Sequence, residues 1–180
     1  SPATVDLLFA LGSVHVTGTG IDVTHADNNI ENLVGSSGSD TLDTSAFTTA
    51  RDITLTNLGS IDGLAGTETV SDIDFDNIDI INGSTSTSDV LIGMNAASNW
   101  QLSTINAIYT STNSLTITNV ETLTGGTDAD TFNFSSSWTG EIDGGAGTDS
   151  IDYSGHTPPR SVTLSGLGAS DGFAGTADLL

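Results

Sequence analysis

Cysteine and lysine are both missing from this chain, and Arg51 and Arg160 are the only strongly basic residues in its 180 positions. Without thiols there are no disulfide staples and no thiolate metal sites. Without lysine there is no isopeptide crosslink from a lysine side chain. Two arginines against 23 acidic residues leave a formal charge of −21. That balance excludes nucleic acid as a partner, because phosphate is held by Lys and Arg, and it disfavours an anionic lipid surface. Aromatic residues make up only 6% of the chain, so the expected core is a thin one of Val, Ile and Leu. His15, His25 and His156 are scattered, with no spacing for a zinc site. No G-x-S-x-G elbow, cysteine nucleophile or P-loop lysine occurs, so the chain is not expected to be an enzyme. No apolar run is long enough to cross a bilayer, and Ser1 to Leu11 lacks the basic start of a signal peptide. The expectation is an internal excerpt of a longer exported protein.

What the chain has instead is Gly, Asp, Thr and Ser in patterned clusters. Gly144 to Asp152 reads GGAGTDSID and Gly125 to Asn133 reads GGTDADTFN, 19 residues earlier. Both follow G-G-x-G-x-D-x-U-x, with U large and apolar, except that Asp128 stands where the third glycine belongs. In such a segment the glycines allow a tight turn with inward carbonyls, the Asp adds a carboxylate, and U opens a strand. That is a recipe for a calcium-binding turn. The competing reading is that each Asp caps its own turn by accepting backbone amides. GSSGSDTLD at Gly35 and GSTSTSDVLI at Gly83 are degenerate relatives, and for Asp40 and Asp89 capping is the favoured reading.

Self-comparison reveals duplication. A shift of 109 lays Gly35–Thr67 on Gly144–Thr176 without a gap and with 16 of 33 positions identical, Arg51 falling on Arg160. A shift of 48 relates Ile30-Glu31-Asn32-Leu33 to Ile78-Asp79-Ile80-Ile81, and a shift of 90 relates IENLVGSSGSDTL to VETLTGGTDADTF. The copies fall near 5–52, 53–94, 100–161 and 162–180. Alternating Thr-rich segments such as Ile53-Thr54-Leu55-Thr56 argue for strands throughout. Glycine turns at Gly35, Gly63, Gly83, Gly125, Gly144 and Gly172, taken as coil corners, predict an all-β, right-handed parallel β-solenoid of seven or eight coils. Asn95 to Asn113 would form one coil, and Ile30, Ile78 and Val120 would share an interior column. A Greek-key sandwich is the competing architecture.

The strings IENLVGSSGSDTL, VETLTGGTDADTFNF and IDGGAGTDSIDYSG resemble the repeats of large bacterial surface and secreted proteins related to the RTX, or haemolysin-type calcium-binding, family. The resemblance runs from about Val5 to Thr176. It implies that Ca2+ is held between successive turns by Gly125, Thr127, Ala129 and Asp130 in one and Gly144, Ala146, Thr148 and Asp149 in the other. The chain departs from the family in that its nonapeptides are isolated rather than tandem, which favours a wider β-helix over a narrow ion-filled roll.

The expected role is a structural and adhesive segment, extracellular or on the bacterial cell surface, rigidified by calcium. Its expected partners are neighbouring repeats, copies of itself end to end, or cell-surface glycans. A carbohydrate-binding or polysaccharide-active module is the alternative, with Trp100, Trp138, Tyr109 and Tyr153 as sugar platforms, although single aromatics more often cover a core. An ice-binding face of Thr54, Thr56, Thr116 and Thr118 is the third reading. Asp72, Asp74 and Asp76 share one face of an alternating run, where a bound cation and a solvated surface explain the pattern equally well. Each arginine is expected to pair with a local Asp.

Overall fold

The computed structural model describes side chains at 32–104, 106–169 and 171–176, and backbone alone at 5–10, 13–18, 21–25 and 177–179. Within these residues the chain is strand and turn. The strands are β1 (Val5–Ala10), β2 (Ser13–Gly18), β3 (Ile21–His25), β4 (Asn32–Val34), β5 (Thr41–Asp43), β6 (Asp52–Leu58) and β7 (Leu64–Glu68). There follow β8 (Ile73–Ile78), β9 (Ile80–Asn82), β10 (Val90–Ile92), β11 (Ser98–Leu102), β12 (Asn106–Thr110) and β13 (Ser114–Thr118). Last come β14 (Thr122–Thr124), β15 (Asp130–Phe134), β16 (Glu141–Asp143), β17 (Ser150–Asp152), β18 (Arg160–Leu167) and β19 (Phe173–Leu179).

One sheet has ten strands in the order β17-β15-β11-β12-β13-β9-β5-β1-β2-β3, and the other has seven in the order β16-β14-β10-β6-β7-β8-β4. β18 and β19 form a separate hairpin. Both large sheets mix parallel and antiparallel pairs in a sandwich-like arrangement that is not closed.

The expected parallel β-solenoid is therefore incorrect, and the glycines show why. Gly35, Gly125 and Gly144 each lead the chain from the seven-stranded sheet to the ten-stranded one, and Gly83 leads it back. Gly63 and Gly172 do something different. Their φ angles of 55° and 61° are left-handed, a region open chiefly to glycine, and they reverse the chain into the hairpins β6–β7 and β18–β19. Reading all six as corners of one coil merged two turn types. The segment Asn95 to Asn113 is no coil either: β12 pairs antiparallel with both β11 and β13.

Parallel pairing survives where cassettes stack, and it lines up the core. Leu91 lies in register with Ile53 on one side and Leu123 on the other. Ile81 likewise lies between Leu42 and Ile117. All six are at most 1% exposed, and each such side chain contributes about 1.5–3 kcal/mol by leaving water. Ile78 and Val120 are also buried in this core. Ile30, His15 and His25 lie outside the residues whose side chains are described.

Trp100, Tyr109 and Phe132 are core elements. Trp100 and Tyr109 are fully buried, with ring centroids 4.7 Å apart edge to face, and Phe132 stacks on Trp100 at 5.5 Å. Neither Trp100 nor Tyr109 presents a face to a sugar.

Stacked aspartate turns as the candidate functional site

The inter-sheet turns at Gly35, Gly83 and Gly125 each end with an aspartate whose carboxylate reaches back across the turn, whereas at Gly144 the Gly145 amide donates to Asp143 Oδ1 at 3.0 Å. Asp40 Oδ2 accepts the Ser36 amide at 2.6 Å, Asp89 Oδ2 the Ser84 amide at 2.7 Å, and Asp130 Oδ2 the Gly126 amide at 2.8 Å. All three aspartates are at most 1% exposed. The structure thus puts their carboxylates to work as turn caps, the arrangement Asp favours in loops.

A second acid fastens each of these turns to the next layer. The Asp40 amide donates to Asp79 Oδ2 at 3.0 Å, the Asp89 amide to Glu121 Oε2 at 3.0 Å, and the Asp130 amide to Asp149 Oδ1 at 2.9 Å. Asp79 and Glu121 were not singled out from the sequence as site residues. Their signal was nonetheless present, since the shifts of 48 and 90 lay both on Glu31.

Asp130 and Asp149 are brought together as expected, but through a hydrogen bond between them. Asp130 Oδ1 accepts the Ser98 hydroxyl while Oδ2 holds Gly126. Burial is the main influence raising the Asp130 pKa above the usual carboxylate value; the Ser98 and Gly126 hydrogen bonds oppose it, and the Asp149 charge adds to it. The two turns also touch through backbone: the Ala146 amide donates to Gly126 O at 3.1 Å. Gly145 and Gly147, both with positive φ, present no side chain where the carbonyls of Gly125, Gly126, Thr127 and Asp128 approach. Thr127, Ala129 and Thr148 are exposed, Gly125 is buried, and Gly144, Ala146 and Asp149 are intermediate.

A calcium ion needs six to eight oxygen ligands. The donor chemistry here is all oxygen, but both Asp130 oxygens, one Asp149 oxygen and the Gly126 carbonyl already accept protein hydrogens. Among the described residues, no three His, Cys, Asp or Glu side chains gather at one point. The carboxylates of Asp130 and Asp149 thus serve in this arrangement as a turn cap and an interlayer acceptor.

Among the described residues neither arginine pairs with Asp. Arg51, 3% exposed, contacts Glu68 at 3.5 Å, donates to Ser71 and Thr49 hydroxyls at 2.9 and 3.1 Å, and lies 3.6 Å over the Phe47 ring. Arg160 has Ala177 where Glu68 would fall, and donates instead to His156 Nε2 at 2.9 Å and Ser137 Oγ at 3.2 Å. In the alternating acidic run, Ile73 and Phe75 are buried, and Asp76 accepts the Ser60 amide and hydroxyl at 2.9 and 2.6 Å.

Comparison with protein-family models, curated proteins and solved structures finds no match to the chain. The likeness to calcium-binding repeats rests on the residues quoted for it alone.

Proposed function

We propose that this chain is a structural repeat segment of a bacterial extracellular or cell-surface protein, a spacer or adhesive scaffold rather than an enzyme. The observation that supports it most is the capped turn tied to an acid of the next layer, repeated across separations of 39, 32 and 19 residues. Such a ladder gives rigidity and length without a reaction centre. Carboxylates that would repel one another become acceptors for backbone amides, which are among the stronger hydrogen bonds available. Divalent ions then act as general counter-ions to the charge of −21, not as bridges between Asp130 and Asp149.

The open groove along Thr54–Leu58 and Ile92–Ala96, about 500 Å³, contains neither an aromatic ring nor a charged side chain. Nothing there favours the carbohydrate-active reading.

The test is thermal unfolding at matched ionic strength with chelator, magnesium or calcium. Calcium and magnesium are expected to raise the midpoint by similar amounts of a few degrees. A large shift specific to calcium would overturn the reading of divalent ions as general counter-ions.

A further inference from the structure

We infer that the outward face of the ten-stranded sheet is a docking surface for an uncharged, extended polysaccharide lying across the strands. This names a partner for the adhesive scaffold proposed above and rests on that reading. Unfolding tests the scaffold and glycan retention tests the face, so either can fail alone.

Strand alternation decides which side chains point out. Phe132, Trp100, Tyr109, Ile117, Ile81 and Leu42 are buried inside, so their neighbours along each strand face away from the core. The register lines up one outward row of Asn133, Gln101, Ile108, Thr116, Ile80 and Thr41, on successive strands of the sheet from β15 to β5. Strands lie about 4.7–4.9 Å apart, so this row runs about 24 Å across the sheet.

Two rows flank it, and both are stapled by their own hydroxyls. On one side Ser150 donates to Thr131 at 3.2 Å, and Thr110 and Ser114 share a hydrogen bond at 3.2 Å. On the other side Thr118 donates to Asn82 Oδ1. In the central row, by contrast, the side-chain amides of Asn133 and Gln101 and the Thr116 hydroxyl have no protein partner among the described residues. Gln101 is exposed, and Ile108 beside it is 39% exposed.

The charge of −21 is not spread evenly over the two sheets. Across β15, β11, β12, β13 and β9 no outward residue is charged. Asp152 in β17 and Asp43 in β5 bound this neutral area, and each accepts an amide of its own turn, from Ser154 and Ser45. The outward face of the seven-stranded sheet instead carries Asp52, Asp74, Asp76, Glu141 and Asp143.

That separation selects the partner. Polyanions are repelled by the chain as a whole, and a cationic partner finds its complement on the other sheet. A protein partner is disfavoured as well, because interface cores are rich in aromatic residues, Met and Arg, and this face has none. An uncharged polar ligand matches it. Amides and hydroxyls both donate and accept hydrogen bonds, as sugar hydroxyls do, while Ile108 and Ile80 offer apolar ground to the C–H faces of the rings. A straight row suits a ribbon-like glycan better than a coiled one.

The test is affinity electrophoresis through gels containing hydroxyethyl cellulose, which is uncharged and extended, carboxymethyl cellulose, which adds charge to the same backbone, or dextran, which coils. Hydroxyethyl cellulose is expected to retard the protein, and the other two are not. Q101E and T116E together place two charges in the row and should weaken retardation at least tenfold, read as the polymer concentration that gives half the effect. Q101A, which removes the amide without adding charge, should weaken it several-fold. T87E and S88E together add the same charge at exposed positions in the turn between β9 and β10 and should leave it unchanged. All these proteins are expected to unfold within a few degrees of one another. Absence of retardation by hydroxyethyl cellulose, equal retardation of the Q101E/T116E protein, or equal retardation by carboxymethyl cellulose overturns the inference. So does a dimer in sedimentation that Q101E and T116E dissociate, which would assign the face to a second copy.

Discussion

Asp40 and Asp79 hold each other through opposite groups. The Asp40 amide donates to the Asp79 carboxylate at 3.0 Å, while the Asp79 amide donates to the Asp40 carbonyl at 3.0 Å. Asp89 and Glu121 repeat the exchange at 3.0 and 3.2 Å. A chain with this much negative charge therefore folds by directing its buried carboxylates at backbone hydrogens.

Asp89→Ala should destabilise the protein by about 2–4 kcal/mol, because buried donors that lose their acceptor cost about 1–3 kcal/mol each. Ser84 loses the acceptor for its amide and its hydroxyl, and Arg51 loses the acceptor for its amide. Glu121→Gln keeps an oxygen for the Asp89 amide and should cost less than about 1 kcal/mol. Urea unfolding measures both.

Leu55→Ala and Leu164→Ala change the same residue in the two copies with different outcomes. The first, 2% exposed, should cost about 2–5 kcal/mol. The second, 63% exposed, should stay within about 0.5 kcal/mol. Equal losses in unfolding experiments would mean that Leu164 is covered in solution.

Gly63→Ala should be worse than Gly172→Ala. Both place alanine in left-handed backbone, which costs roughly 1–2 kcal/mol. Only at Gly63 would the new methyl also press on the Ile78 backbone, 2.6 Å away, whereas nothing lies within 4 Å at Gly172. The difference in unfolding midpoints isolates the contact.

Stability should pass through a maximum at mildly acidic pH. Burial raises the pKa values of Asp79 and Asp130 above 3.8, so the folded state binds protons more readily than the unfolded chain, and stability climbs as pH falls from neutral through those raised values. The Ser60 hydroxyl lowers the pKa of Asp76 below 3.8, so its contribution is lost as pH falls further through that lowered value. Asp79→Asn keeps an acceptor for Asp40 and should flatten the climb on the neutral side. An unchanged profile in that variant would show that Asp79 does not carry it.

Much of the local structure was legible in the residues. The shift of 109 related two segments that both fold as hairpins with a shared register and bulge, and the alternation of Ile53-Thr54-Leu55-Thr56 matches a strand with Ile53 and Leu55 buried. The arrangement of sheets was not legible, because a glycine that crosses between sheets and one that reverses within a sheet look alike until φ is known. Gly63 and Gly83 each follow a short polar residue, Asp62 and Asn82, and only the first adopts the left-handed conformation. At the turns, the carboxylates were readable as either metal ligands or caps. Their partners decide between these, and Ser98, which holds Asp130 from 32 positions away, has no local pattern to announce it.

The ladder also separates frame from ornament. Rungs are joined at separations of 39, 32 or 19 residues, so the clasp is indifferent to how much chain is looped out between two layers. The excursions between rungs can therefore differ in length while the turns beneath keep their places.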